Sequence, residues 1–349
     1  MKILLSIISI CILGFIGSRW SFSHFKMPRF ATQVFFTGAE FILVGLLLGP
    51  SFLNVLDEKI ILSLHPVRAL CLGWIGFLFG LQLDRNVFRE FPREYLRIAI
   101  FLPISIAAIM LLPMYFTLAS IFHGGMSLLP AALVISFTAA VTAPSSLAIF
   151  QQYHNLQRSP LITLFRFVAG FDAFPGVLIT GIAGAMVCTS LPNAEFLPAG
   201  LVWFLFITVT GLLMGIILVL LLDTNPNSEE TGLYLTGIIV LLGGIGFYFH
   251  HSCLYMAALA GIVVANSKYA DQIHDLAIRP ERTIYILLLL LSAASADLRT
   301  SIHPGFILMY VMFRFSAKMA TGSLAASFWG RWPLTHRSLG LGLLSEGGM

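Results

Sequence analysis

Charge is what this sequence has least of. Only 10% of its 349 residues are Asp, Glu, Lys or Arg, against roughly 25% in an ordinary soluble domain, while 58% are apolar. A water-soluble fold is excluded. The net charge of +4 is small, and the basic residues sit between apolar runs rather than in a stripe, so there is no electrostatic footprint for nucleic acid. Cysteine is scarce as well. Cys11, Cys71, Cys188 and Cys253 lie singly inside apolar segments with no Cys-x-x-Cys spacing, which fits neither a disulfide framework nor a metal site. His-Glu-x-x-His, Walker and Gly-x-Ser-x-Gly patterns are missing too, so an enzyme has no supporting motif.

What the sequence does have is apolar runs long enough to cross about 30 Å of hydrocarbon. They fall at 3–17, 31–49, 66–83, 98–122, 128–150, 161–190, 196–222, 232–249, 252–266, 283–297 and 303–328, with an apolar stub from 338 to the end. We read an all-α polytopic membrane protein of about 12 segments, a single transmembrane domain over 1–349. The first run is read as a retained helix, because no small-x-small cleavage site precedes Arg19. Odd-numbered loops carry thirteen Lys and Arg, among them Arg85, Arg89, Arg93 and Arg97. The side with the N-terminus carries four, Lys2, Lys59, Arg68 and Arg299. That asymmetry puts the N-terminus outside and the odd loops in the cytoplasm.

An ionisable group near the bilayer centre costs several kcal/mol and needs a reason to be there. Asp172 lies eleven residues into the sixth segment, about 16 Å deep at 1.5 Å per residue. Its burial would raise its pKa toward neutrality, where it exchanges a proton for a cation; a carboxylate paired to a neighbouring helix is the structural alternative. In the fifth segment Thr142-Ala143-Pro144-Ser145 predicts a break at the same level, since proline withholds a backbone donor. Carbonyls and the hydroxyls of Thr142 and Ser145 would then stand beside the carboxylate; the plainer reading is a proline kink. Lys318, about 15 Å into the eleventh segment, reaches that level too, and Arg314 one turn deeper needs its own partner. Glu40 is open to two readings, lining a vestibule or pairing with a loop arginine. Arg166, six residues before Asp172, points to a different face. His250 and His251 read as a solvated turn, with pH sensing as the alternative.

These residues resemble a family, the monovalent cation:proton antiporters, which includes sodium/proton exchangers and potassium-efflux proteins. The resemblance runs through nearly the whole chain. It rests on Gly45-Leu46-Leu47-Leu48-Gly49-Pro50-Ser51, on Phe79-Gly80-Leu81-Gln82-Leu83-Asp84, on Thr142-Ala143-Pro144 and on Phe171-Asp172-Ala173. Met256-Ala257-Ala258-Leu259-Ala260-Gly261, Lys318 and the Gly340–Gly348 stretch containing Glu346 complete it. It implies a scaffold and a mobile core built from two inverted three-helix repeats, whose broken helices cross beside the ion-binding aspartate. Asp172, Thr142 and Ser145 become the ion and proton ligands, Lys318, Pro144 and Phe171 their support, and Glu40, Arg314 and Glu346 further candidates. Departures are Ala143 where the family has an acidic or hydroxylated residue, and Phe171 where it has Asn, Asp or Gln. The third is the stub after residue 338, expected to be either a truncated sequence or an incomplete site.

The function expected is exchange of a monovalent cation, Na⁺ or K⁺, for H⁺ in a plasma membrane, a bacterial inner membrane by family resemblance. No cofactor is needed, and the family implies a homodimer. Two other readings remain open, a sodium-coupled symporter of an organic solute and a relic without coupled exchange.

Overall fold

The computed structural model describes residues 39–85, 92–122, 126–142, 160–187, 198–224, 226–296 and 304–328. The first expected segment, the chain beyond Thr142 in the fifth and the stub after 338 lie outside these residues. The described residues form helices. We number them α1 (Ala39–Leu48), α2 (Glu58–Ser63), α3 (His65–Leu81), α4 (Arg93–Phe122), α5 (Leu129–Thr138), α6 (Pro160–Phe171) and α7 (Ala173–Val187). There follow α8 (Ala199–Leu222), α9 (Ser228–Tyr248), α10 (Cys253–Ala265), α11 (Ala270–Ile278), α12 (Glu281–Ala294) and α13 (Pro304–Phe328).

The helices match the apolar runs, because a run that must satisfy every backbone N–H and C=O without water has only the helix open to it. Three expectations are corrected, the first being that the stretch 50–65, expected as loop, contains the six-residue α2, capped by Asp57. The stretch 267–282, expected as loop, contains α11, nine residues long and too short and polar to register as a span. The sixth run, expected as one helix, is interrupted at Asp172 between α6 and α7. Pro175 is the cause. It has no N–H to offer the carbonyl of Phe171, and its ring crowds that carbonyl.

Packing divides the chain into two compact units, Met1–Leu81 with Leu205–Ile302, and Gln82–Phe204 with His303–Met349. In the first unit α3 packs against α10, α9 and α12, and α1 against α12. Small residues set how closely α3 and α10 approach. A Cβ on Gly76 would strike the carbonyl of Leu254, one on Gly80 that of Ala258, and one on Gly261 that of Phe77. The Met256–Gly261 stretch that carries the family resemblance is therefore a helix-crossing surface, its Met256, Ala257, Ala258, Ala260 and Gly261 buried. Gly45 and Gly49 do the same for α1 on α12, against the carbonyls of Leu290 and Ala294. Polar groups are matched along the way: Trp74 Nε1 donates to the carbonyl of Ala277 at 3.0 Å, tying α11 to α3.

In the second unit α4 is the spine, packed against α5, α6 and α13, with α7 against α5. Two apolar clusters build it. Tyr95, Ile98, Ala99 and Leu102 of α4 meet Leu164, Val168 and Ala169 of α6 and Ala325 of α13. Further along α4, Ile106, Met110 and Met114 meet Ala139, Ala140 and Ala317. The second cluster fixes the end of α5 against α13, and that junction is where the polar residues gather.

Candidate ion-binding site

The helix α5 stops at Thr138. Ala139 N–H still reaches the carbonyl of Ile135 at 3.1 Å, but the next two bonds tighten to the i−3 carbonyl, Ala140 to Phe137 at 3.1 Å and Val141 to Thr138 at 3.2 Å. Thr142 then leaves the helix. A helix that ends inside a membrane leaves carbonyls with no intrahelical donor and the negative end of its dipole exposed. Here α13 supplies what is missing. Arg314 donates from Nε to the carbonyl of Ala139 at 3.0 Å and from Nη2 to that of Val141 at 3.2 Å. One turn on, Lys318 Nζ donates to the same Val141 carbonyl at 3.3 Å and to the Thr142 hydroxyl at 3.4 Å. The i, i+4 spacing of Arg314 and Lys318 puts both on the face of α13 that meets the break.

From Thr142 the polar chain continues to the break between α6 and α7. Both the hydroxyl and the backbone N–H of Thr142 hydrogen-bond the carboxylate of Asp172, and the charges of Lys318 and Arg314 act on it. The other acceptor open to the hydroxyl, the carbonyl of Ala140, is 3.5 Å away. Asp172 is 2% exposed, Thr142 1%, Lys318 1% and Arg314 8%. Thr142 thus stands between the ammonium of Lys318 and the carboxylate of Asp172. Oδ1 of Asp172 is buried and has no hydrogen-bond partner among the described residues. A buried acceptor left open costs on the order of 1–3 kcal/mol, more when charged, unless a proton or a cation satisfies it.

Four of the expected site residues are therefore brought together: Asp172, Thr142, Lys318 and Arg314. Phe171 is half-buried beside them, packed on the α4–α6 cluster with its ring 6.2 Å from that of Phe174. Pro144, Ser145 and Glu346 lie outside the described residues, as does Ala143. Glu40 and Arg166 have their backbones in α1 and α6, with their side chains outside the description. What sequence reasoning missed is the acceptor for Arg314. Main-chain carbonyls have no residue signature, and only the spacing to Lys318 and the nearby break hinted at it. The two histidines also divide: His250 is exposed with φ 56°, but His251 is buried, its N–H bonded to the carbonyl of Gly246 at 2.8 Å.

No protein-family model and no curated protein matches the sequence. Solved structures do. The structure of the sodium proton antiporter MjNhaP1 from Methanocaldococcus jannaschii at pH 8 aligns over 99% of this chain and 85% of that chain, with a TM-score of 0.64 at 14% identity. An electron-microscopy map of the same antiporter aligns over 96% and 80%, with a TM-score of 0.57 at 15% identity. The chain has the fold of a sodium/proton antiporter. Identity this low carries the fold alone. Among the described residues, four helical stretches are long and apolar enough to cross a membrane by themselves, Arg93–Phe122, Phe167–Val187 taken across the turn at Asp172, Ala199–Leu222 and Ser228–Tyr248. Together with the fold they make this a multi-pass membrane protein.

Proposed function

We propose that this protein exchanges a monovalent cation for a proton across the membrane, with Asp172 binding the two in turn. The observation that carries the reading is the open, buried Oδ1 of Asp172 at a helix break, beside a second broken helix whose Thr142 already holds the carboxylate. A carboxylate in that position has two ways to lose its cost, a proton or a dehydrated cation, and they exclude one another. Competition at one group is then the coupling. Opening of the site to one side at a time makes the exchange alternate. Thr142, and Ser145 from the sequence, supply hydroxyl ligands, while Arg314 and Lys318 hold the end of α5 in place. With one carboxylate as the shared site, one charge enters for each that leaves. The two fold neighbours, both sodium proton antiporters by name, favour Na⁺ over K⁺. Operation as a homodimer in a plasma membrane, with the N-terminus outside, completes the proposal; the thirteen-to-four split of basic residues supports the orientation.

The test is reconstitution into vesicles with a pH-reporting dye inside, followed by addition of sodium, potassium or lithium. Proton release driven by a cation and abolished by Asp172→Asn is the expected result. Proton movement that is equal in Asp172→Asn, or that no cation drives, would overturn the aspartate-centred mechanism.

A further inference from the structure

Side chains that stand directly ahead of a helix in this chain close on the N–H three residues further on. Asp57, before α2, accepts the N–H of Ile60 at 3.0 Å. Ser252, before α10, accepts that of Tyr255 at 3.2 Å. The reason is general: the N–H groups of a first turn have no carbonyl of their own helix to bond, and a short oxygen-bearing side chain reaches one of them. Asp172 directly precedes α7 and does not follow the pattern. Three residues on from it stands Pro175, which has no N–H to give, and Oδ1 of Asp172 is buried with no hydrogen-bond partner among the described residues. A proline in the first turn withholds that donor while leaving the helix behind it intact, and α7 runs on to Val187.

Any other residue at 175 would bring an N–H with two acceptors at the spacings helices use. One is the carbonyl of Phe171, four residues back, a bond that would run α6 into α7 without interruption. The other is the carboxylate of Asp172, three residues back, in the manner of Asp57 and Ser252. The second bond would occupy the open oxygen itself. The first would close the interruption at which Asp172 meets the hydroxyl and N–H of Thr142. Either way the acceptor that now stands ready for an ion would be spent within the helix.

We propose, on the exchange reading above, that Pro175 is a positioning residue of the ion site: by withholding an N–H it keeps Oδ1 of Asp172 open for the cation or the proton. The open oxygen is held at the expense of a backbone hydrogen bond, so the fold itself gains nothing from the proline and should not suffer when it is removed.

Unfolding midpoints of the purified full chain in detergent test it, measured at alkaline pH, where protons compete least, with sodium, potassium or lithium chloride against choline chloride. In the unmutated chain one of these cations should raise the midpoint saturably, and Asp172→Asn should abolish the rise. If none does, the ion site and the part of Pro175 in it both fall. In Pro175→Ala the midpoint without cation should be equal or higher, while the half-saturating cation concentration rises at least about tenfold. Lactic acid in place of Pro175 gives a chain built like the alanine variant but with an ester oxygen where the N–H would be. It should bind the cation within about threefold of the unmutated chain. Gly170→Ala is the control: its methyl group, two residues before Asp172 on α6, meets nothing within 4 Å, and it should respond like the unmutated chain. Equal cation affinity in Pro175→Ala and the unmutated chain overturns the proposal and leaves the ion site standing. So does a Pro175→Ala chain that fails to fold or unfolds lower without cation, which would make the proline a residue of the fold. A lactic acid chain as weak as Pro175→Ala overturns it too, because the ring and not the missing N–H would then be what keeps the site open.

Discussion

Arg314 Nε donates to the carbonyl oxygen of Ala139 at 3.0 Å, so that the open end of α5 is closed by a side chain of α13. The relationship matters because α5 ends where no water is at hand, and each carbonyl it leaves would otherwise be orphaned. The positive charge also meets the negative end of the helix dipole. Arg314 belongs to the architecture of the break, and Lys318, one turn away, reaches past the same carbonyls to Thr142. A cation approaching the site meets carbonyls already engaged and finds Oδ1 of Asp172 open.

Arg314→Met should therefore act on stability first. It removes two charge-assisted bonds, each worth roughly 1.5–3 kcal/mol. We expect a clear drop in the unfolding midpoint in detergent, with Arg314→Lys recovering part of it through one bond where the guanidinium made two. An unchanged midpoint in Arg314→Met would mean the carbonyls of Ala139 and Val141 find other donors, and the capping role would be wrong.

Thr142 links both charges, and its hydroxyl is the part that matters. Thr142→Val keeps the shape of the side chain but takes away a donor to Asp172 and an acceptor for Lys318. Exchange rates in vesicles should fall about ten- to a hundredfold, the equivalent of one hydrogen bond to a charged group. Thr142→Ser should restore most of the rate. Equal activity of the valine and serine variants would remove Thr142 from the site.

The helices of this fold were legible because hydrocarbon leaves the backbone no alternative to the helix, and the run at 303–328 became α13 at Pro304–Phe328 almost residue for residue. The break in α5 was legible from Pro144, although the helix ends at Thr138, six residues before that proline, because the last turn tightens before it opens. Pro175 carried the same signal for the interruption at Asp172, and a continuous apolar run concealed it. Short α11 escaped because nine residues with Asp271, His274 and Asp275 exposed do not resemble a span. Within the site, Asp172 and Lys318 stood out as charges in apolar runs. Their connection through Thr142 did not, because it depends on which way an unwound stretch turns.

Close approach between α3 and α10 gives a prediction with a built-in contrast. Gly80→Ala adds a methyl group that would meet the backbone of Ala258 and Gly261, which has no rotamer to change. Gly73→Ala, about two turns away on the same helix, meets Ile239 Cγ2 at 3.5 Å and its carbonyl at 3.6 Å, ordinary contact distances. Overpacking costs roughly 1–3 kcal/mol when side chains can yield, and more against backbone. The Gly80 variant should lose its monodisperse size-exclusion peak or unfold many degrees lower, whereas the Gly73 variant should keep both. Similar behaviour of the two would show that the helices part easily and that the glycines do not set the crossing.

His251 offers a prediction in pH. It sits in the turn between α9 and α10, 6% exposed, with its own carbonyl facing Cys253 Sγ at 3.8 Å. Burial holds its pKa below the ordinary histidine value, and the neighbouring imidazole of His250 adds to the effect. The folded chain therefore prefers the neutral ring, and between the lowered folded pKa and the unfolded value near 6.5 the unfolded chain binds more protons. The stabilisation is present above the unfolded value and is lost as pH falls through the folded one. Unfolding midpoints in detergent should thus decline on acidification below about 6.5, and His251→Gln, neutral throughout, should flatten that part of the profile while His250→Gln flattens it less. Parallel profiles for the unmutated chain and His251→Gln would mean that the buried ring is not what acid titrates, and the decline would then belong to the carboxylates.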